Sequence, residues 1–337
     1  MTSKLKQTMS AMVLEEPGAQ LVFQSLDLPI PGKNEIRIII EACGVCRTDL
    51  HIMDGELMHP RLPLILGHEI VGRVDALGIE VTNFYLGQRV GVAWLGHSCG
   101  RCAYCQTARE NLCDDPLFTG YTRDGGYATH TIADASYSFP LPENIAPENL
   151  APLLCAGLIG WRTLKLAGDV RTIGIYGFGA AAHIVAQVAL HKGMRVHAFV
   201  RPGDDAAVQF ALSLGVTTAQ DSNQPPPEFL DAALIFAPVG SLVPIALAAT
   251  KKGGSVVCGG IHMSEIPAFD YALLWEERKL LSVANLTRQD AEEFLAFAEK
   301  YQFDMRITRY PLRKANEATQ DLRAGRIQGA AVLMPQI

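Results

Sequence analysis

A chain of 337 residues is too long for one small core and suits two domains of ordinary size. With 49% hydrophobic and 19% charged residues it is no disordered chain, and a formal charge of −6 argues against nucleic acid as the main partner. Residues 1–10 are polar and lack the apolar core of a secretory signal, so a cytoplasmic setting is expected.

Residues 1–150 read as strands and turns. Residues 36–40, 71–76 and 89–92 are rich in β-branched side chains, and Pro29, Pro31, Gly32, Pro60 and Pro63 punctuate them. From about residue 156 short apolar strands alternate with helical runs. Strands are expected at 173–176, 196–200, 232–236, 255–258 and 280–284, and helices at 181–191 and 206–214. Such alternation predicts a parallel sheet with helices on both faces.

Two stretches in this part, 172–190 and 232–250, carry no formal charge for about a membrane's width. Gly174, Gly177 and Gly179 break the first, and Pro238, Gly240 and Pro244 the second, so each is expected to be a strand turning into a helix. No membrane partner is expected. Pro225-Pro226-Pro227 is a loop within the unit. After Asn285 come a helix (291–300), a strand, a helix (315–323) and a last strand near 330–333, which are expected to return to the first domain. The expected division is 1–155 with 286–337, and 156–285.

Of the eight cysteines, Cys99, Cys102, Cys105 and Cys113 form C-x2-C-x2-C-x7-C. In a secreted chain such density would suggest disulfides; in a cytosolic one it suggests metal. The short gaps let successive thiolates turn around one ion and the longer gap closes the tetrahedron. That is the donor set of a structural zinc, and iron–sulfur spacings differ from it. A second group of ligand types is dispersed: Cys46, His68 followed by Glu69, and Cys155. Each alone is weak, because a lone buried cysteine is more often packing than ligand.

Their settings decide the matter. Cys43-Gly44-Val45-Cys46-Arg47-Thr48-Asp49-Leu50-His51, Gly67-His68-Glu69 and Leu154-Cys155-Ala156-Gly157, taken with the cysteine cluster, resemble the zinc-containing medium-chain alcohol dehydrogenases, closest to the bacterial branch. The likeness covers essentially the whole chain. It implies a Rossmann doubly wound parallel sheet plus a discontinuous, mainly β, GroES-like catalytic domain. It implies two zinc ions per chain, a catalytic one on Cys46, His68 and Cys155 and a structural one on the four clustered cysteines. Thr48 matches the hydroxyl that takes the alcohol proton and His51 the relay imidazole that releases it. Asp49 and Glu69 match carboxylates behind the ligands, and Leu57 and Trp94 match residues lining the alcohol pocket. Trp94 reads equally as an ordinary core aromatic. Cys43 and Cys258 match no role and are expected in the core.

Gly177-Phe178-Gly179-Ala180-Ala181-Ala182 has the form G-x-G-x-x-A between an expected strand and helix, the setting of a dinucleotide turn. Gly177 serves the tight turn, Gly179 the approach of pyrophosphate, and Ala182 close packing of helix on strand. Where an NAD-preferring fold places an acid, this chain has Val200 followed by Arg201. The cofactor is therefore NAD(P) with a lean toward NADP. Stacking of Arg201 on adenine, or a reach of Asp204 or Asp205 to the ribose, remains the other reading. Arg47 matches a pyrophosphate contact, whereas Ala330 stands where many relatives carry arginine and removes one.

The expected function is hydride transfer between a primary alcohol or aldehyde and NAD(P), in a homodimer or homotetramer. Two alternatives use the same residues: an aldehyde reductase working mainly with NADPH, and a non-catalytic zinc- and nucleotide-binding redox sensor. The retained Thr48 and His51 argue against the sensor, which has no use for a proton relay.

Overall fold

The computed structural model describes residues 7–57 and 59–336. They form two compact units. One runs through Cys155 and adds Thr287–Leu295 and the chain from Met305 onward; the other is Ala156–Leu286 with Ala296–Asp304.

The first unit is built on one long strand, Glu35–Val45, paired antiparallel with Glu69–Leu77 from Ile36 opposite Leu77 to Gly44 opposite Glu69. Ile36, Ile38 and Ile40 point inward and are fully buried, the period-two pattern of a sheet with one wet face. From Ala42 onward that strand is buried at every residue, and its Cys43–Val45 end pairs with the final strand, Ala330–Met334. Arg89–Val92, Ser138–Pro140, His130–Asp134 and Ile307–Pro311 complete a seven-stranded sheet. A second, three-stranded sheet holds Thr8–Leu14 between Val22–Asp27 and Leu64–Ile65. Sequence reasoning does not single out Thr8–Leu14, in which Met, Ser and Ala leave only Thr8 and Val13 β-branched.

The second unit is a six-stranded, wholly parallel sheet in the spatial order Thr218–Asp221, Arg195–Val200, Thr172–Tyr176, Leu230–Ile235, Thr250–Cys258, Lys279–Ser282. This is the order of the doubly wound dinucleotide-binding fold. The central strand Thr172–Tyr176 is buried at every residue, as a strand covered on both faces must be. Both uncharged stretches resolve as expected into strand, loop and helix, with helices at Ala180–His191 and Leu242–Ala249. Among the described residues no single helix is long and apolar enough to cross a membrane.

Helix Ala156–Ala167 has no counterpart in the sequence reading, because Gly157 and Gly160 dilute its helical signal. One boundary also differs: the sequence assigns 286–337 whole to the first domain, but Ala296–Asp304 belongs with the second unit. Side-chain packing explains it. The Phe297 ring lies 5.5 Å from Trp161, Tyr301 stacks on His191 at 4.6 Å, and the Gln187 amide bonds the Asp304 backbone in both directions.

Tyr176 and Phe199, both fully buried, stack at 4.3 Å across neighbouring parallel strands immediately behind the Gly177 turn. Phe199→Ala is expected to cost about 3–5 kcal/mol, a loss that urea denaturation followed by circular dichroism will read.

Candidate active site

The strand pairing assembles the dispersed ligand group. Cys46 follows strand Glu35–Val45 and His68 precedes strand Glu69–Leu77; because these strands pair antiparallel, the end of one meets the start of the other. A short turn, Ala151–Leu154, ends at Cys155 and supplies the third residue. Cys46 Sγ lies 3.7 Å from Cys155 Sγ, and His68 Nε2 lies 3.3 Å from Cys155 Sγ. A carboxylate oxygen of Glu69 joins them, and the four ligand atoms all fall within 4.8 Å of one another.

A Glu69 carboxylate oxygen, which the sequence reading has as a carboxylate behind the ligands, thus lies within reach of the three ligand atoms. Gly44 makes the room. It sits directly opposite Glu69 in the sheet, and a Cβ there would lie 1.7 Å from Glu69 Oε2.

Asp49 stands behind the ligands and joins two of them. Helix Arg47–Met53 starts at Cys46 as its N-cap, and Asp49, at the third helical position, accepts a 2.8 Å hydrogen bond from the Cys46 amide. Its other oxygen faces His68 Nδ1 at 3.3 Å. The Tyr127 hydroxyl, which sequence reasoning missed, donates to Asp49 at 2.9 Å. Only the fold brings Tyr127 here, so no local motif announces it.

The electrostatics are those of crowded, buried titratable groups. Asp49, His68 and Glu69 are buried. Burial pushes the Glu69 carboxyl well up, and the Cys46 charge adds to the push. Cys155 is raised by the thiol bond it shares with Cys46 and by burial, while that bond and His68 hold Cys46 well below its ordinary value. Burial pulls His68 down, but Asp49 overrides it and holds the imidazole well above its usual value. Among the described residues these acids have no lysine or arginine partner. Two thiols, an imidazole and a carboxylate whose ligand atoms converge within 4.8 Å are a donor set that fits zinc.

Thr48 is buried, with Oγ1 3.7 Å from Cys46 Sγ. His51, one turn further along the helix, is largely buried and pairs through Nδ1 with the Glu56 carboxylate. Arg47 is exposed on the first turn. Trp94 is half-buried, edge-on to His68 at 5.0 Å and stacked on Phe118 and Tyr121 at 5.1 and 5.7 Å. Leu57 is also half-buried and packs on the same core. Cys43 is buried and Cys258 half-buried.

The clustered cysteines converge as well: the Sγ atoms of Cys99, Cys102, Cys105 and Cys113 lie within 4.8 Å of one another, and all eight cysteines are free. The loop aims its own amides at them. Cys99 N–H donates to Cys113 Sγ at 3.3 Å, Cys102 N–H to Cys99 Sγ at 3.4 Å and Asp115 N–H to Cys113 Sγ at 3.3 Å. Backbone amides of Cys105 and Asp114 hold Cys102 down to about 6, whereas burial pushes Cys113 up to about 12.

In the second unit Gly177 closes the turn after Thr172–Tyr176, and its amide donates to Phe199 O. Gly179 is the N-cap of helix Ala180–His191, with open space where a Cβ would point, and Ala182 is fully buried. Arg201 extends into solvent, its side chain 85% exposed and 3.9 Å from Asp204. Asp204 caps the next helix through the Ala207 amide, and Asp221 accepts from the Gly203 amide at 3.2 Å. Ala330 is buried at the start of the last strand.

Comparison with known proteins agrees with this geometry. Residues 32–143 match the alcohol dehydrogenase GroES-like domain. The chain is 44% identical to a Mycobacterium tuberculosis protein named "Probable alcohol dehydrogenase AdhA", over 97% of each chain. It is 34% identical to the alcohol dehydrogenase of a Moraxella species, over 96% of this chain and 99% of that one. Among solved structures it superposes on an acetophenone reductase from Geotrichum candidum in complex with NAD, with TM-score 0.88, 26% identity and 98% of each chain covered. The chain belongs to the zinc-containing medium-chain alcohol dehydrogenases. It is an oxidoreductase with alcohol dehydrogenase activity toward small-molecule alcohols.

Proposed function

We propose that the chain interconverts primary alcohols and aldehydes with NAD(P), using zinc held by Cys46, His68 and Cys155. The observation that carries this reading is the convergence of two thiols, an imidazole and a carboxylate within 4.8 Å of one another. Bound there, zinc supplies Lewis acidity, which lowers the pKa of an alcohol hydroxyl. The nicotinamide ring supplies the hydride acceptor.

The chain's own residues do the rest. Asp49 fixes the His68 ring with Nδ1 toward itself, which leaves Nε2 for the metal. Thr48 Oγ1, beside Cys46, accepts the alcohol proton, and His51 passes it to water. Trp94 and Leu57 wall the alcohol pocket. The cysteine lobe holds a second, structural zinc, its four sulfurs leaving no open position. Metal analysis by plasma emission should give two zinc ions per chain. Cys46→Ser should abolish turnover in a folded protein, and Cys102→Ala should leave one zinc and lower the melting temperature. Full activity in the first variant, or an unchanged melting temperature in the second, would sink the corresponding assignment.

NADP is the preferred cofactor in this reading. Asp204 and Asp221 are engaged by backbone amides and Arg201 is extended, which supports pairing of its guanidinium with a 2′-phosphate. Arg201→Ala should raise KM for NADP by about tenfold, the worth of one charge-assisted bond, and leave KM for NAD within about twofold. An equal loss for both would remove the 2′-phosphate contact.

The chain assembles as a homodimer or homotetramer. Tyr271 and Trp275, 67% and 60% exposed, precede the outermost strand Lys279–Ser282, and apolar exposure of that size beside an open sheet edge supports a second copy there. Light scattering should read two or four chains; a monomer at micromolar concentration would overturn it.

A further inference from the structure

The helix that carries Thr48 and His51 ends in a turn with a consequence for the relay. Asp54 is its C-cap and Gly55 takes φ of +74°. The Gly55 amide donates to Ile52 O at 3.1 Å and the Glu56 amide to His51 O at 2.9 Å. These two bonds are the Schellman motif, whose left-handed position favours glycine. The motif folds the residue after the glycine back over the third-last helical residue. Here those two residues are Glu56 and His51, and the Glu56 carboxylate meets His51 Nδ1.

The turn is held from outside. Asp54 pairs bidentately with Arg323 on helix Ala315–Arg323, both contacts at 2.7 Å, and the Gly18 amide donates to Met53 O at 2.6 Å. The Arg323 guanidinium keeps Asp54 below the usual carboxylate range. The charges around His51 are thus Glu56 and Asp54 on the turn and Arg323 on the helix packed against it.

We propose that Glu56 is a positioning residue for proton release: by accepting the Nδ1–H of His51 it fixes the tautomer, presents Nε2 to the relay and stabilises the imidazolium that forms when the proton arrives. The inference rests on the relay reading given above. The balance is simple. The alcohol O–H proton reaches Nε2, the C–H electron pair leaves as hydride to nicotinamide, and Nε2 then gives the proton to water. The Nδ1–H bond to Glu56 persists throughout. A half-exposed pair of this kind adds little to stability. Its retention as a mere surface bridge and its use in the relay therefore predict different things.

The test measures kcat, KM and melting temperature for alcohol oxidation in Glu56→Gln, Glu56→Asp, His51→Gln and the double variant His51→Gln/Glu56→Gln. Glu56→Gln should lower kcat about tenfold, part of what a positioned general base contributes, with KM for alcohol within about twofold and the melting temperature unmoved. Glu56→Asp should recover most of the loss. In the His51→Gln background, Glu56→Gln should cost nothing further. The same loss in that background, or a shift in melting temperature alone, would make the pair a surface bridge. If His51→Gln is impaired and Glu56→Gln is not, the role of Glu56 falls alone. Full kcat in His51→Gln would remove the relay itself.

Discussion

The organising constraint of the first unit is the cluster of titratable side chains it buries. Cys46, Cys155, Asp49 and Glu69 lie close together with one imidazole between them, and water is largely excluded. Leaving such a group without a counter-charge costs several kcal/mol per ion, far more than any local hydrogen bond returns. Burial therefore drives Glu69 and Cys155 toward their neutral forms, and Asp49 holds His68 toward its charged one. The surrounding structure fixes the positions of these side chains. Strand pairing sets Cys46 against His68, the missing side chain of Gly44 admits Glu69, and Asp49 braces Cys46 and His68 at once.

The brace also ties Cys46 to the helix that carries Thr48 and His51. Helix Arg47–Met53 carries Thr48, Asp49 and His51 on seven residues, too short to be stable by itself. It persists because each end is fastened: Cys46 and Asp49 at the start, the glycine turn and the Asp54–Arg323 clamp at the finish. Cys46 and His51, about one and a half turns apart, thus share one rigid element, and displacement of either end moves both.

What the sequence reveals depends on how local the determining interaction is. The cysteine lobe is legible because its donors lie within fifteen positions, and the parallel sheet because strand and helix periodicities alternate cleanly from residue 173 onward. Cys46, His68 and Cys155 are legible only through family resemblance, since their meeting depends on pairing between distant strands. The place of Glu69 is hidden because it is decided by what Gly44 lacks, twenty-five positions earlier in the sequence. The attachment of Ala296–Asp304 is hidden for a similar reason. Helix Arg288–Lys300 reads as one amphipathic segment, and only the contacts of Phe297, Tyr301 and Asp304 reveal that its end serves another core.

The two cysteine-bearing groups show how environment separates ions of the same chemistry. In the lobe, amides of the loop itself point at the sulfurs, so thiolate charge is spread over nearby backbone and four equivalent donors enclose the centre. In the other group the donors differ, the sulfurs lie beside a hydroxyl and an imidazole, and a carboxylate oxygen reaches the same point. Four like donors with no open position are what a structural ion needs, and unequal donors are what an exchanging one needs. Residues of the same type are thus set apart by their surroundings, and the difference lies in where the chain directs its amides and its acids.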